Sequence, residues 1–189
     1  MNTKTLTITK SICPLCSKEL VTNWVEDNIP FFGEVMHITS LCECGFRHSD
    51  TLIMAQRAPV HYELEIKKQD DLDARVVRST SGTIRIPELG IDIEPGPASE
   101  SFVSNIEGVL DRVEEILQNV MLWDEKEKTE RAKELLSTLE KIKAGEYEIT
   151  VIIEDPLGNS AIIAKNATSR ELTDDEAELL KTGMIIFEK

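Results

Sequence analysis

The sequence of 189 residues has few aromatic side chains and little positive charge. Phe, Trp and Tyr make up 5% of the chain, too few for the stacking platforms that bind single-stranded nucleic acids. There are 21 Lys and Arg residues against 35 Asp and Glu, and the formal net charge is −14. Because phosphates are bound through Lys and Arg, this balance disfavours nucleic acid and anionic membranes and favours a basic protein surface as the partner.

Long apolar runs are also absent. No segment approaches the roughly 20 apolar residues that cross a bilayer, and the first ten residues lack the apolar stretch of a secretory signal. No glycine-rich loop ends in Gly-Lys-Ser/Thr, so the sequence does not predict nucleotide hydrolysis by a P-loop. We therefore expect an intracellular, cytoplasmic protein that does not contact a membrane.

All four cysteines lie near the start of the chain, as the pairs Cys13/Cys16 and Cys42/Cys44. In a chain without an export signal, paired cysteines indicate a metal rather than disulfides. Four thiolates complete the tetrahedral shell of zinc and leave no open position for catalysis. The sequence therefore predicts one structural zinc, with Cys13, Cys16, Cys42 and Cys44 as its ligands.

The second cysteine pair is unusually short, with one residue between its members. Residues two apart in an extended segment project to the same face, so both sulfur atoms can still reach one ion. Gly45 suits the positive φ that often closes such a turn. His48 is the nearest substitute ligand. The alternative, four unliganded thiols, places them in a module too small to fold without a metal.

Hydrophobic periodicity divides the chain into two parts. Residues 1–55 have short strand-like segments, at 5–8 and 34–38. From residue 56 onward, further strands are predicted at 61–66, 75–78, 83–86, 146–154 and 160–163. Between them, two apolar stripes at helical spacing predict a helical hairpin within about 101–144. The first stripe contains Phe102, Ile106, Val109, Val113, Ile116, Leu117 and Val120, and the second contains Ala132, Leu135, Leu136, Leu139 and Ile142.

Local signals place the ends of the later elements. Asp124, three residues before Glu127, is typical of the cap that begins the second helix of the hairpin. Thr173-Asp174-Asp175-Glu176 is a capping box and predicts a short helix. The apolar run 184–187 predicts a last strand.

Several strings distributed along the chain resemble one known family, the ZPR-one (ZPR1) zinc-finger proteins, in the single-module form typical of archaea. They are Cys13-Pro14-Leu15-Cys16, Ile29-Pro30-Phe31-Phe32-Gly33, Cys44-Gly45-Phe46-Arg47-His48-Ser49-Asp50, Arg75-Val76-Val77-Arg78-Ser79, Thr83-Ile84-Arg85-Ile86-Pro87-Glu88-Leu89-Gly90, Pro95-Gly96-Pro97, Glu107-Gly108-Val109-Leu110, Asp155-Pro156-Leu157-Gly158-Asn159-Ser160 and Lys181-Thr182-Gly183-Met184. The resemblance runs from about Cys13 to the C-terminus. The sequence departs from it in the short second cysteine pair, where the family usually has two intervening residues.

The resemblance implies a mainly β protein. Its parts are an N-terminal zinc ribbon, here residues 1–55, and a double-stranded β-helix (jelly-roll-like) domain, residues 56–189, with the helical hairpin inserted. It further implies a non-enzymatic protein that helps translation elongation factor 1-alpha to fold, since eukaryotic relatives carry two such modules and associate with that factor. The client-binding residues are not implied by any motif.

Two other functions are weighed against this one. His48-Ser49-Asp50 and His61-Tyr62-Glu63 match the start of an iron-binding facial triad, but no histidine follows His61 to complete it. A nucleic-acid-binding zinc ribbon in transcription or translation is the alternative function. Residues 1–55 contain four basic and six acidic side chains, without the basic footprint that such binding needs.

Two apolar segments have a structural and a functional interpretation each. Val120-Met121-Leu122-Trp123, at the turn of the hairpin, either covers the edge of the domain or anchors a partner. Phe31 and Phe32 either dock the ribbon on the β domain or bind a client.

Overall fold

The computed structural model describes residues 4–29, 33–54, 57–96, 99–123 and 125–183. Within it the chain divides into two compact units, residues 1–57 and 58–189. The first unit holds all four cysteines, and the second holds the helices and the larger apolar core.

The first unit is a four-stranded antiparallel meander. Its strands are β1 (Lys4–Ile12), β2 (Glu19–Ile29), β3 (Gly33–Cys42) and β4 (Arg47–Ile53), paired in the order β1-β2-β3-β4. Ile12 lies opposite Glu19, and Leu20 lies opposite Cys42. The β1–β2 and β3–β4 turns, which carry the cysteines, therefore lie at the same end of the sheet.

The core of this unit is small. Among its described residues, the buried apolar side chains are those of Cys13, Leu20 and Val35, and a buried hydrogen bond of 2.8 Å joins the hydroxyls of Thr22 and Ser40. A sheet with so little apolar burial needs a cross-link such as a metal to remain folded.

The second unit contains two antiparallel sheets. Its strands are β5 (Val60–Ile66), β6 (Arg75–Arg78), β7 (Thr83–Ile86), β8 (Ile91–Ile93), β9 (Phe102–Asn105), β10 (Ile149–Asp155), β11 (Ala161–Ile163) and β12 (Thr168–Glu171). One sheet has the order β12-β5-β10-β7-β8 and the other β11-β6-β9. Short 3-10 helices cover 69–73 and 87–89. Both sheets contribute to one apolar core, as in a jelly roll.

A helical hairpin is inserted between β9 and β10. Its helices are α1 (Ile106–Val120) and α2 (Lys126–Lys143). The side chain of Asn105 accepts a hydrogen bond from the Gly108 N–H and caps α1. The predicted apolar stripes are buried over most of their length, at Ile106, Val109, Val113, Ala132, Leu135, Leu139 and Ile142. Ile116, near the end of the first stripe, is 56% exposed.

A buried carboxylate joins the ends of three segments of the second unit. Asp155, the last residue of β10, is fully buried and accepts five hydrogen bonds of 2.6–3.0 Å. The donors are the hydroxyls of Ser79, Ser81 and Ser160 and the backbone N–H groups of Leu157 and Asn159. Gly82 has no room for a side chain, since a Cβ there would lie 2.5 Å from Ser160 Oγ.

The predicted local signals have different outcomes. The capping box of Thr173 is present and begins α3 (Asp174–Glu178), as predicted. Helix α2 has Glu125 as its N-cap, without a capping side-chain bond, one residue after the predicted Asp124, which lies outside the described residues. The predicted strand 184–187 and the aromatic pair Phe31/Phe32 also lie outside them.

Candidate metal centre

The four cysteines are positioned by the two turns that join β1 to β2 and β3 to β4. Cys13 and Cys16 lie in the turn between β1 and β2, while Cys42 ends β3 and Cys44 precedes β4. Strand pairing between β2 and β3 holds the two turns side by side. From the sequence, the approach of the two turns was predicted only from the cysteine pairs, because β2 and β4 were not predicted.

A backbone hydrogen bond closes each turn, between residues four apart in the first turn and three apart in the second. The Ser17 N–H donates to the carbonyl of Cys13 at 2.9 Å, and the Gly45 N–H donates to that of Cys42 at 3.0 Å. The residue after the second cysteine of each pair has a positive φ, which is 59° at Ser17 and 93° at Gly45. Gly45 was predicted for this role. Ser17 was not, since a non-glycine residue gives no signal of a left-handed backbone.

The sulfur atoms lie at the separations that zinc requires. Cys13 Sγ is 3.7 Å from Cys44 Sγ, and Cys16 Sγ is 3.6 Å from Cys42 Sγ. All four lie within 4.8 Å of one another. With Zn–S bonds of about 2.3 Å, the sulfur atoms of a tetrahedral site are about 3.8 Å apart, whereas a disulfide needs about 2.05 Å. The cluster therefore fits one zinc ion and not two disulfides.

Burial, backbone N–H groups and neighbouring thiols have opposing effects on the pKa values of the cysteines in this cluster. Burial opposes ionisation of Cys13, but hydrogen bonds from the N–H groups of Cys16 and Leu15 outweigh it and lower its pKa to about 7. At Cys42 the Cys44 N–H lowers the pKa, but burial and the neighbouring thiols outweigh it and raise the pKa to about 12. A divalent metal stabilises the thiolate forms and offsets the repulsion between them.

The short Cys42/Cys44 pair does not keep its sulfur atoms from the other two. Cys42 donates its N–H to the carbonyl of Phe46 at 3.0 Å, which closes the turn after Cys44. Within the described part of the chain, the four cysteines form the one group with metal-ligating geometry. His48 lies on β4 outside that group and is exposed.

The two histidine motifs of the iron hypothesis lie on strands of different units, His48 on β4 and His61 on β5. His61 Nδ1 is 3.1 Å from a carboxylate oxygen of Glu154, and its Nε2 is 3.6 Å from Glu63. Arg85 donates to Glu154 at 2.9 Å. These contacts link side chains of β5, β10 and β7, and no metal-ligating group of the described residues includes them.

The hairpin turn exposes large apolar side chains. Leu122 is 83% exposed and Trp123 is 53% exposed, with Lys128 Nζ 5.5 Å from the centre of the Trp123 ring. A groove of about 500 Å³ beside them runs between the helices and is lined by Leu117, Val120 and Leu135 among others. We call residues 120–123 the hairpin tip.

No described helix is both long enough and apolar enough to cross a membrane.

Comparisons with known proteins agree with this architecture. A family model described as the ZPR1 jelly-roll domain matches residues 70–179. A ZPR1-like protein of Methanocaldococcus jannaschii is 45% identical over 180 residues, which are 93% of this chain and 91% of that protein. A ZPR1-like protein of Pyrococcus horikoshii is 46% identical over 181 residues, 92% of this chain and 81% of that protein.

A more distant relative has a functional name. The zinc finger chaperone zpr1 of Schizosaccharomyces pombe is 30% identical over 156 residues, which are 78% of this chain and 34% of that protein. The matches confirm the predicted fold class of a mainly β protein with a four-cysteine cluster and a jelly-roll domain. The cysteine geometry and the zinc finger relatives support the single structural zinc that the sequence predicted. The name of the yeast relative describes a chaperone, not an enzyme.

Proposed function

The chain belongs to the ZPR1 family, and from that premise we propose that it is a non-enzymatic, zinc-stabilised protein that binds a translation GTPase, elongation factor 1-alpha, and assists its folding or assembly. The observation that carries the proposal is the similarity, over 78% of this chain, to a protein named as a zinc finger chaperone. A chaperone acts on protein partners, and this client works in the cytoplasm, where the proposal places the protein.

The proposed ligands of the zinc are Cys13, Cys16, Cys42 and Cys44. Their sulfur separations of 3.6 and 3.7 Å support this assignment. The proposed domains are a zinc ribbon of residues 1–55 and a jelly-roll domain of residues 56–189, which the division into two compact units after residue 57 supports.

The ribbon offers an apolar surface next to the proposed zinc. Ile12 and Leu15 lie beside Cys13 in the first turn and are 75% and 73% exposed. Zinc fixes the two turns, so these side chains keep one arrangement only while the metal is bound.

The hairpin tip offers a second surface. Trp123, with the exposed Leu122 beside it, is an aromatic anchor of the kind that dominates binding energy in protein interfaces. Two apolar surfaces on one chain suit a client that still exposes apolar side chains of its own.

Capture of purified elongation factor 1-alpha tests the proposal. The factor from the same organism is diluted from denaturant over immobilised wild-type protein, and the bound fraction is compared with that of Cys44→Ser and Trp123→Ser. We expect strong capture by the wild type and at least tenfold weaker capture by each variant, since anchor residues contribute about 2 kcal/mol or more.

His48→Ser is the matched control, because His48 is exposed and lies outside the cysteine group. It is expected to keep both zinc and client binding. Equal capture by the wild type and an unrelated acidic protein of the same charge would contradict the proposal.

A further inference from the structure

The second unit has a cavity that the proposed function does not use. It has a volume of about 400 Å³ and lies between α1 and the sheets. We call it the α1 cavity, and its wall includes Arg78, Ile84, Ile93, Phe102, Arg112 and Ile116. This volume is sufficient for a small ligand or one amino-acid side chain with its backbone.

Two arginines converge on one aromatic ring in this wall. The guanidinium carbon of Arg112 lies 4.3 Å from the centre of the Phe102 ring, and that of Arg78 lies 5.8 Å from it. Cation–π contacts favour both guanidinium groups staying near the ring and do not use up their N–H groups as donors. The two positive charges are therefore brought together by an uncharged partner.

Arg78 is buried, and none of the carboxylates in the described part of the chain pairs with it. It is 5% exposed, and its Nε donates to the carbonyl of Gly82 at 2.9 Å, while its Nη1 donates to that of Glu100 at 3.5 Å. Across the described residues, neither Arg78 nor Arg112 forms an ion pair, although the chain has 35 acidic residues. An arginine buried in this way is strongly favoured to gain an anion.

The nearest buried carboxylate, that of Asp155, already accepts hydrogen bonds from other groups. The two carboxylate oxygens of Asp155 accept five hydrogen bonds from serine hydroxyls and backbone N–H groups. Burial lowers the pKa of Arg78, the charge of Asp155 opposes that effect, and the charge of Arg112 adds to it. Asp155 thus acts on Arg78 from a distance, and Arg78, which lines the cavity, can still donate hydrogen bonds to an anionic ligand.

The rest of the wall indicates the chemistry of that ligand. Ile84, Ile93 and Ile116 make part of the wall apolar, and Ile116 is 56% exposed. Glu100 and Glu115 also line the cavity. Two glutamates disfavour a dianion such as phosphate more strongly than a single negative charge. A carboxylate also matches the fork geometry of a guanidinium.

We propose that the α1 cavity binds a carboxylate that is attached to an apolar group. The guanidinium groups of Arg78 and Arg112 hold the carboxylate, and the isoleucine side chains contact the apolar group. The carboxylate comes either from a small molecule or from the C-terminal residue of a peptide. The site does not depend on the elongation factor being the client.

Titrations of the full chain followed by NMR test this site. The probes are hexanoate, N-acetyl-leucinate and its neutral amide, a hexapeptide that ends in leucine, and inorganic phosphate. We expect saturable shifts of the Phe102 ring and Arg112 side-chain signals with the carboxylates. The amide should bind at least about tenfold more weakly, since a hydrogen bond to a charged group is worth that factor or more. A hexapeptide at least tenfold tighter than hexanoate identifies a peptide as the source, and equal affinities identify a small molecule.

Two arginine variants make the test specific. Arg112→Gln is expected to weaken N-acetyl-leucinate binding at least about tenfold, and because Arg112 is exposed its fold should persist, which circular dichroism checks. Arg75→Gln is the matched control, since Arg75 is exposed on β6 and does not line the cavity. The proposal is overturned by unchanged affinity in Arg112→Gln, by equal binding of the amide, by phosphate binding more tightly than the carboxylates, or by no saturable shift with any probe.

Discussion

Replacing Asp155 with asparagine tests how the jelly roll is held together. The carboxylate is fully buried, and each of its oxygens accepts one backbone N–H, from Leu157 at Oδ1 (2.9 Å) and from Asn159 at Oδ2 (3.0 Å). The remaining three donors are serine hydroxyls. Asp155→Asn keeps the size of the side chain but replaces one acceptor with a donor.

The size of the stability loss depends on which hydrogen-bond donors can find another acceptor. Hydroxyl groups can rotate to other acceptors, but a backbone N–H cannot. In either orientation, the amide NH₂ of the asparagine faces one buried N–H, which is left unsatisfied at a cost of about 1–3 kcal/mol. The other bonds lose their charge assistance, and the buried Arg78 loses its nearby anion. We expect a total loss of about 3–5 kcal/mol in the free energy of unfolding.

Chemical denaturation followed by circular dichroism at 222 nm measures this loss. The signal reports the second unit, because α1, α2 and α3 all lie in it. Ser81→Ala removes one hydroxyl donor, bound at 2.7 Å, and is expected to lose about 1–2 kcal/mol. Asp73→Asn, at an exposed carboxylate, is the control and should stay within about 0.5 kcal/mol. A loss below about 1 kcal/mol for Asp155→Asn would refute the reasoning.

Three further predictions concern other parts of the chain. Ser17→Gly should stabilise the first unit by up to about 1 kcal/mol and Gly45→Ala should destabilise it by about 1–2 kcal/mol, because both positions have a positive φ. Fluorescence of Trp24 during denaturation in a Trp123→Phe background measures both changes, and stability changes of the opposite sign would refute this. Arg170 and the Thr173 N–H lower the pKa of Glu176 to about 2, so the contribution of Glu176 to stability is present above pH about 4.3 and is lost as the pH falls through about 2. Arg170→Gln should raise this pKa towards 4.5, as measured by NMR titration, and an unchanged pKa would contradict the pairing of Arg170 with Glu176. Leu122→Ser should change the free energy of unfolding by less than about 0.5 kcal/mol, because Leu122 is 83% exposed, and a larger loss by denaturation would indicate that the tip is packed.

Elements with a strong local pattern were predictable from the sequence. The apolar stripes of the hairpin have a single period and lead to α1 and α2. The capping box at Thr173 is a contact between residues three apart, so the sequence alone reveals it. The cysteine pairs predicted the metal chemistry, because few other intracellular roles need four thiols at such spacing.

Strands without alternation were missed. β2 (Glu19–Ile29) has half-buried residues on both faces over much of its length, so no clean period of two marks it. β8, β9 and β12 have only three or four residues each. Strands this short take their conformation from pairing partners that are distant in the chain.

Contacts between distant positions were also beyond the sequence. Ser79 and Asp155 are 76 positions apart, and only the pairing of the strands brings them within 2.6 Å. Arg78 and Arg112 meet on Phe102 for the same reason. Each of these residues alone is an ordinary polar or aromatic residue.

The measurement that tests the central claim most directly is the refolding yield of elongation factor 1-alpha. The denatured factor from the same organism is diluted into buffer with equimolar zinc-loaded protein, and GTP binding per molecule of factor is counted. We expect a higher yield with the wild type than with Cys44→Ser or with an inert protein of equal size. Equal yields in all three mixtures would contradict it.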